Sequence, residues 1–176
     1  MLSIHDKTFA PYITRAEIEA RVAMLGAEIS GDYEGKRPLF IAILNGSFIF
    51  AADLFRTLTI DAEISFIKLA SYKGTSSTGH VVTAIGMEEV LSGRHVIILE
   101  DIIDTGKTLH SFLPEIRQRG PASVKIASFL SKPDAREYVV QTDYVGFSIP
   151  NNFVVGYGLD YDGLGRHLPE LYTLVS

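Results

Sequence analysis

HVIILEDIIDTGKT, residues His95 to Thr108, sets a run of β-branched and aliphatic side chains against two adjacent carboxylates, Glu100 and Asp101. Two more apolar residues follow, then a third carboxylate, Asp104, and the small polar turn Thr105-Gly106-Lys107-Thr108. The apolar run Val96 to Leu99 predicts a strand buried on both faces, as in a parallel sheet. Leu109, Phe112, Leu113 and Ile116 recur at helical spacing, so a helix is expected to begin near residues 105–108. Strand, polar turn and helix start together put free backbone N–H groups at the carboxyl edge of a sheet, a place that attracts anions.

The surrounding charges narrow the ligand. A phosphate at residues 105–108 is drawn by the helix N-terminus, the peptide N–H groups and the hydroxyls. Three carboxylates beside it repel a bare polyphosphate, but they suit a sugar diol, a Mg²⁺ ion or a carbon centre that becomes cationic. A ribose 5-phosphate reacting at its anomeric carbon satisfies all three. Singly, Glu100 and Asp101 read as solvated residues and Asp104 or Thr105 as an ordinary N-cap; five polar residues at the end of one buried strand argue for a site. Gly106-Lys107-Thr108 looks like the tail of a P-loop, yet that pattern needs glycine at position 101, where Asp101 stands.

Elsewhere the chain alternates. Thr14-Arg15-Ala16-Glu17 reads as a capping box opening a helix with the stripe Ile18, Val22, Leu25 and Ile29. Strands are expected over 38–44, 61–71, 81–85, 96–99 and 124–130, with helices over 48–58 and 109–118. This implies an α/β fold with a mainly parallel sheet flanked by helices. After about Lys132 the pattern changes to short strands (144–147, 153–155 and 172–175) broken by Pro, Asn and Gly, which predicts a small irregular lobe. One domain over 1–176 is expected, with a core at roughly 35–131 and the lobe from 132, the N-terminus contributing in part.

Composition excludes several classes. The 176 residues are 47% apolar and carry a net charge of −5, which argues against nucleic acid as a partner. Cysteine is absent, so disulfide and thiolate chemistry are excluded, and a reducing, cytoplasmic setting is expected. The start, MLSIHDKTF, has charges where a signal peptide needs an apolar core, and no apolar run reaches spanning length, so no membrane role is expected.

The 95–108 segment resembles the ribose-phosphate signature of the type I phosphoribosyltransferases: two acids, two apolar residues, then D-T-G-K-T. Separated segments from about Ile41 to Arg166 resemble the hypoxanthine-guanine branch of that family. The resemblance implies transfer of a phosphoribosyl group from phosphoribosyl pyrophosphate to a 6-oxopurine, in a Mg²⁺-dependent homodimer or homotetramer. Residue by residue, it implies Asp104 as the catalytic acid–base group and Glu100, Asp101 and Thr105 to Thr108 as the ribose and 5′-phosphate site. Asn45 and Gly46, with Arg166, match the pyrophosphate contacts, although Asn45 stands where a cation is common. Ser71 and Tyr72 match a lid. Ile102, Phe153, Val154 and Asp160 match the base site, and Glu100, Asp101 and Asp160 the metal site. Gln141 is read as replacing a lysine that donates to the 6-oxo group, which predicts a weaker contact without charge assistance. A sister enzyme for xanthine or a pyrimidine, and a non-catalytic nucleotide sensor of the same fold, are the competing readings.

Overall fold

The computed structural model describes residues 1–71 and 81–175, and its core is a six-stranded sheet with helices on both faces. After a hairpin of β1 (Leu2–Ile4) and β2 (Lys7–Ile13) come α1 (Arg15–Asp32), β3 (Leu39–Leu44) and α2 (Phe48–Thr57). Next are β4 (Glu63–Ser71), β5 (Val81–Ile85), β6 (His95–Ile103), α3 (Lys107–Gln118) and β7 (Ser123–Ser131). The chain closes with β8 (Tyr144–Ser148), β9 (Val154–Val155) and β10 (Leu171–Leu174). The sheet order is β5-β4-β3-β6-β7-β8, parallel throughout except for β5, which pairs antiparallel with β4.

Local sequence explains the frame. Thr14 caps α1 as expected: its hydroxyl accepts from Glu17 N–H while the Glu17 carboxylate accepts from Thr14 N–H. Ile18, Val22, Leu25 and Ile29 of that helix are buried in one core cluster with Phe40 and Ala42 of β3 and Ile97 and Leu99 of β6. The alternate residues, Leu39, Ile41, Ile43, Val96 and Ile98, face the other side and meet Leu109, Phe112, Leu113 and Ile116 of α3. Both faces of β3 and β6 are therefore covered, the condition that favours parallel pairing.

The topology creates the site. From β3 the chain steps outward to β4 and β5, then returns across the sheet to β6, β7 and β8. The neighbours β3 and β6 thus send their following turns to opposite sides. A crevice opens between their carboxyl ends, the switch point where open α/β sheets hold ligands. A second sheet, antiparallel in the order β1-β2-β10-β9, stands beside it and is built around Phe9, Val155 and Ile4.

Two boundaries differ from the sequence reading. β6 does not stop at Leu99; it continues through both acids to Ile103, paired with β7 at Glu100, Ile102 and Ile103. Side-chain alternation breaks there, since Leu99 and Ile102 pack against the same cluster although three residues apart. The segment 144–147, assigned from sequence to the irregular lobe, is an edge strand of the main sheet, parallel to β7. Its shortness hid that pairing, which Arg21 of α1 reinforces by donating to the Val145 and Gly146 carbonyls at 2.6 and 2.8 Å.

Candidate active site

Two cavities flank the end of β6. The smaller, about 90 Å³, is lined by Glu100 and by residues 102–109, among them Asp104, Thr105, Gly106, Lys107 and Thr108. Here α3 begins, and its first N–H groups have no acceptor within the helix. Gly106 is the N-cap residue at φ 85°, a left-handed conformation that L side chains resist. The Thr105 hydroxyl accepts from Lys107 N–H at 3.2 Å, tightening the turn. The geometry is that of an anion cradle.

The second cavity, about 230 Å³, is lined by Asp101, Ile102, Asp104, Lys132, Phe153, Val154, Leu159 and Asp160. Phe153 is 45% exposed and rests on Tyr161 and Phe9, with ring centroids at 5.8 and 6.3 Å. A large exposed aromatic lining the same cavity as Ile102 offers a face to a planar ring. Five residues expected at the base and metal sites (Asp101, Ile102, Phe153, Val154 and Asp160) are brought together here. Gln141 is not: it is exposed and absent from the lining.

Lys132, which sequence reasoning did not single out, lines this cavity instead. It follows the end of β7, is only 6% exposed, and its Nζ lies 3.7 Å from Asp104 Oδ2. A buried ammonium on the wall of a base-sized cavity can donate with charge assistance to a ring carbonyl. The missed signal was positional: a lysine directly after a buried parallel strand sits at the sheet's carboxyl edge.

The acids differ in environment. Burial pushes the Glu100 carboxyl well above the usual carboxylate range, and the neighbouring Asp101 charge adds to the effect. Its Oε2 is buried without a hydrogen-bond partner among the described residues. Burial also raises Asp101; backbone hydrogen bonds and the Arg166 charge counter the shift, and Asp160 reinforces it. An orphaned, desolvated carboxylate oxygen beside a second carboxylate fits a divalent cation or sugar hydroxyls. Among the described residues no group of three or more metal-type side chains is gathered, so these acids would supply only part of a coordination shell. Mg²⁺ commonly binds in that way, through one or two carboxylates, water and substrate oxygens.

The turn after β3 forms the opposite wall. Asn45 is exposed, Gly46 and Ser47 are buried, and the Leu44–Asn45 peptide is cis. A Cβ on Gly46 would overlap the Asp101 carboxylate, and the Gly46 carbonyl abuts Gly158 in turn. The turn is therefore clamped between β6 and the second lobe. Arg166 donates to the Gly158 carbonyl at 2.7 Å and pairs with Asp160 at 2.9 Å, which ties the expected pyrophosphate arginine to the same corner. Ser71 ends β4, while Tyr72 lies outside the described residues.

The family model described as the phosphoribosyl transferase domain matches residues 13–162. A hypoxanthine phosphoribosyltransferase of Buchnera aphidicola is 43% identical over 171 residues, covering 96% of this chain and 97% of that relative. A hypoxanthine-guanine phosphoribosyltransferase of Streptococcus pneumoniae is 42% identical over 163 residues, covering 92% and 91%. Among solved structures, a hypoxanthine phosphoribosyltransferase from Staphylococcus aureus superposes with a TM-score of 0.90 at 37% identity, covering 97% of this chain and 94% of that one. With an acid-fringed turn at the switch point of a parallel sheet, the chain belongs to the phosphoribosyltransferase family.

Proposed function

We propose that the protein is a purine salvage enzyme. It transfers the 5-phosphoribosyl group from phosphoribosyl pyrophosphate to N9 of hypoxanthine or guanine, giving IMP or GMP and pyrophosphate. One observation carries this reading: Asp104 lines both the phosphate cradle and the base cavity, so a single carboxylate stands between the two substrates' sites. During reaction the anomeric C–O bond to pyrophosphate breaks as the bond to N9 forms, and the purine loses a proton. Asp104 takes that proton through N7 and faces the positive charge that develops on the ribose. Residues 105–108 hold the 5′-phosphate, and Glu100 and Asp101 accept from the ribose hydroxyls.

In the base cavity Phe153 and Ile102 sandwich the ring, the Val154 backbone reads its edge, and Lys132 donates to the 6-oxo group. Arg166, with the Asn45-Gly46 turn, contacts pyrophosphate, and Ser71 and Tyr72 close over the reacting centre to exclude water. Glu100, Asp101 and Asp160 would help to hold Mg²⁺ directly or through water. When bound, the ion neutralises the leaving pyrophosphate. A homodimer or homotetramer is expected, and light scattering checks it.

The test is a spectrophotometric assay with hypoxanthine, guanine, xanthine and adenine, each with the donor and Mg²⁺. Turnover of a 6-oxopurine is expected; activity with adenine alone, or with no base, overturns the reading. Asp104→Asn should lower kcat by about 10²-fold or more while leaving IMP affinity nearly intact, because general acid–base help supplies roughly 10²–10⁴-fold. Near-normal turnover in that variant removes Asp104 from its role.

A further inference from the structure

We propose that residues 133–140 form a strap that sets the phosphate turn in its binding geometry, with Arg136 as the positioning residue. The proposal rests on the reading of residues 105–108 as the 5′-phosphate site. The Thr105 carbonyl accepts two hydrogen bonds from the strap, from the N–H groups of Glu137 and Tyr138, both at 3.0 Å. In a trans peptide the C=O and the following N–H point in opposite directions. Holding the Thr105 carbonyl against the strap therefore turns the Gly106 N–H the other way, toward the cavity bounded by residues 102–109. Without the strap that peptide plane is free to rotate, and a carbonyl oxygen facing a phosphate repels it.

Arg136 closes the strap on itself. Its guanidinium donates to the Ser131 hydroxyl at 3.0 Å and to the Val140 carbonyl at 3.3 Å, joining the end of β7 to the strap's far end. Its stem lies against Gly106, where an added Cβ would come within 3.0 Å of Arg136 Cδ and 2.9 Å of the Tyr138 carbonyl. The Nε group is buried with no acceptor among the described residues, which leaves a cationic donor behind the anion site. Tyr138 packs on His110 in the first turn of α3, with ring centroids 5.2 Å apart. Turn and helix start are thus held from one side.

Calorimetry with IMP and with inosine isolates the phosphate contribution. Arg136→Gln should weaken IMP binding roughly tenfold, about the loss of one hydrogen bond to a charged group, with inosine affinity unchanged. The KM for phosphoribosyl pyrophosphate should rise in step while kcat stays within about threefold, the pattern of lost uniform binding. Arg136→Lys, which can reach one of the two acceptors, should fall between. Glu137→Pro removes one of the two donors to Thr105 without touching the arginine. Arg136 already has φ −68° and ψ 121°, which suits a residue before proline. A smaller loss confined to IMP is expected there, and this variant carries the test if Arg136→Gln does not fold. Unchanged IMP affinity in these variants, or equal weakening of IMP and inosine, overturns the strap's role. A wild-type protein that binds IMP no better than inosine overturns the phosphate site itself, and the strap with it.

Discussion

The turn after β3 and the turn after β6 both leave a buried parallel strand, both enter a helix, and face each other across one crevice, yet their chemistry is opposite. Leu44-Asn45-Gly46-Ser47 carries no charge and works by absence: the missing side chain of Gly46 lets Asp101 approach. The turn after β6 works by presence, with Asp104, two threonine hydroxyls and a left-handed Gly106 gathered at a helix start. Two βα units of one plan have thus become a wall and a cradle. Which became which depends on what packs behind them: Gly158 and Arg166 behind the first, the 133–140 strap behind the second.

Adding one methyl group to each turn separates wall from cradle. Gly46→Ala drives a Cβ into the Asp101 carboxylate, with the Gly158 corner blocking retreat. Activity should fall by about 10²-fold, as displacements near 1 Å at a reacting centre do. Gly106→Ala overlaps its neighbours far less, the Tyr138 carbonyl at 2.9 Å being the nearest, but must hold a left-handed conformation, which costs an L residue roughly 1–2 kcal/mol. Its effect should be about tenfold, seen mainly in the KM for phosphoribosyl pyrophosphate. If Gly106→Ala proves the more damaging in steady-state assays, the assignment of wall and cradle is reversed.

A second pair sharpens the base side. Lys132→Met should raise the KM for hypoxanthine by roughly tenfold or more, since a charge-assisted hydrogen bond contributes about 1.5–3 kcal/mol. Gln141→Ala, at an exposed position away from the cavity, should leave that KM within about twofold. Equal effects would return the 6-oxo contact to the position that sequence favoured.

The smallest effect is on stability. The Glu100 carboxyl has a raised pKa in the folded protein, so the folded state holds that proton more tightly than the unfolded chain. Its contribution is most favourable below the ordinary glutamate value of 4.5 and is lost as pH rises toward the raised one. Glu100→Gln stays neutral, so its Tm should exceed that of the wild type by about 2–4 °C at pH 8, with the gap closing near pH 4. Activity should fall in the same variant. A Tm difference that does not change with pH contradicts the desolvated carboxylate.

How much could be read in advance differs between the two turns. The β6 turn was legible because its chemistry is contiguous: three acids, two threonines and a glycine within nine residues need no partner to be recognised as a site. Lys132 was not legible, because nothing adjacent marks it; it gains meaning only where β7 ends beside Asp104. The edge strand β8 was misplaced for the same reason, its five residues carrying too little pattern to reveal pairing with β7.

Hydrophobic periodicity, the Thr14 capping box and the acidic run by themselves determined an alternating α/β chain with a polar, acid-fringed turn after one buried strand. These are short-range properties, settled by neighbours three or four positions apart. Tertiary structure alone decided the strand order that opens the crevice, the lysine set beside Asp104 on the cavity wall, and the strap that holds the Thr105 carbonyl. Such features depend on chain segments that meet only after folding, and desolvation at those meetings, not residue type, fixes which charges are buried and what they can bind.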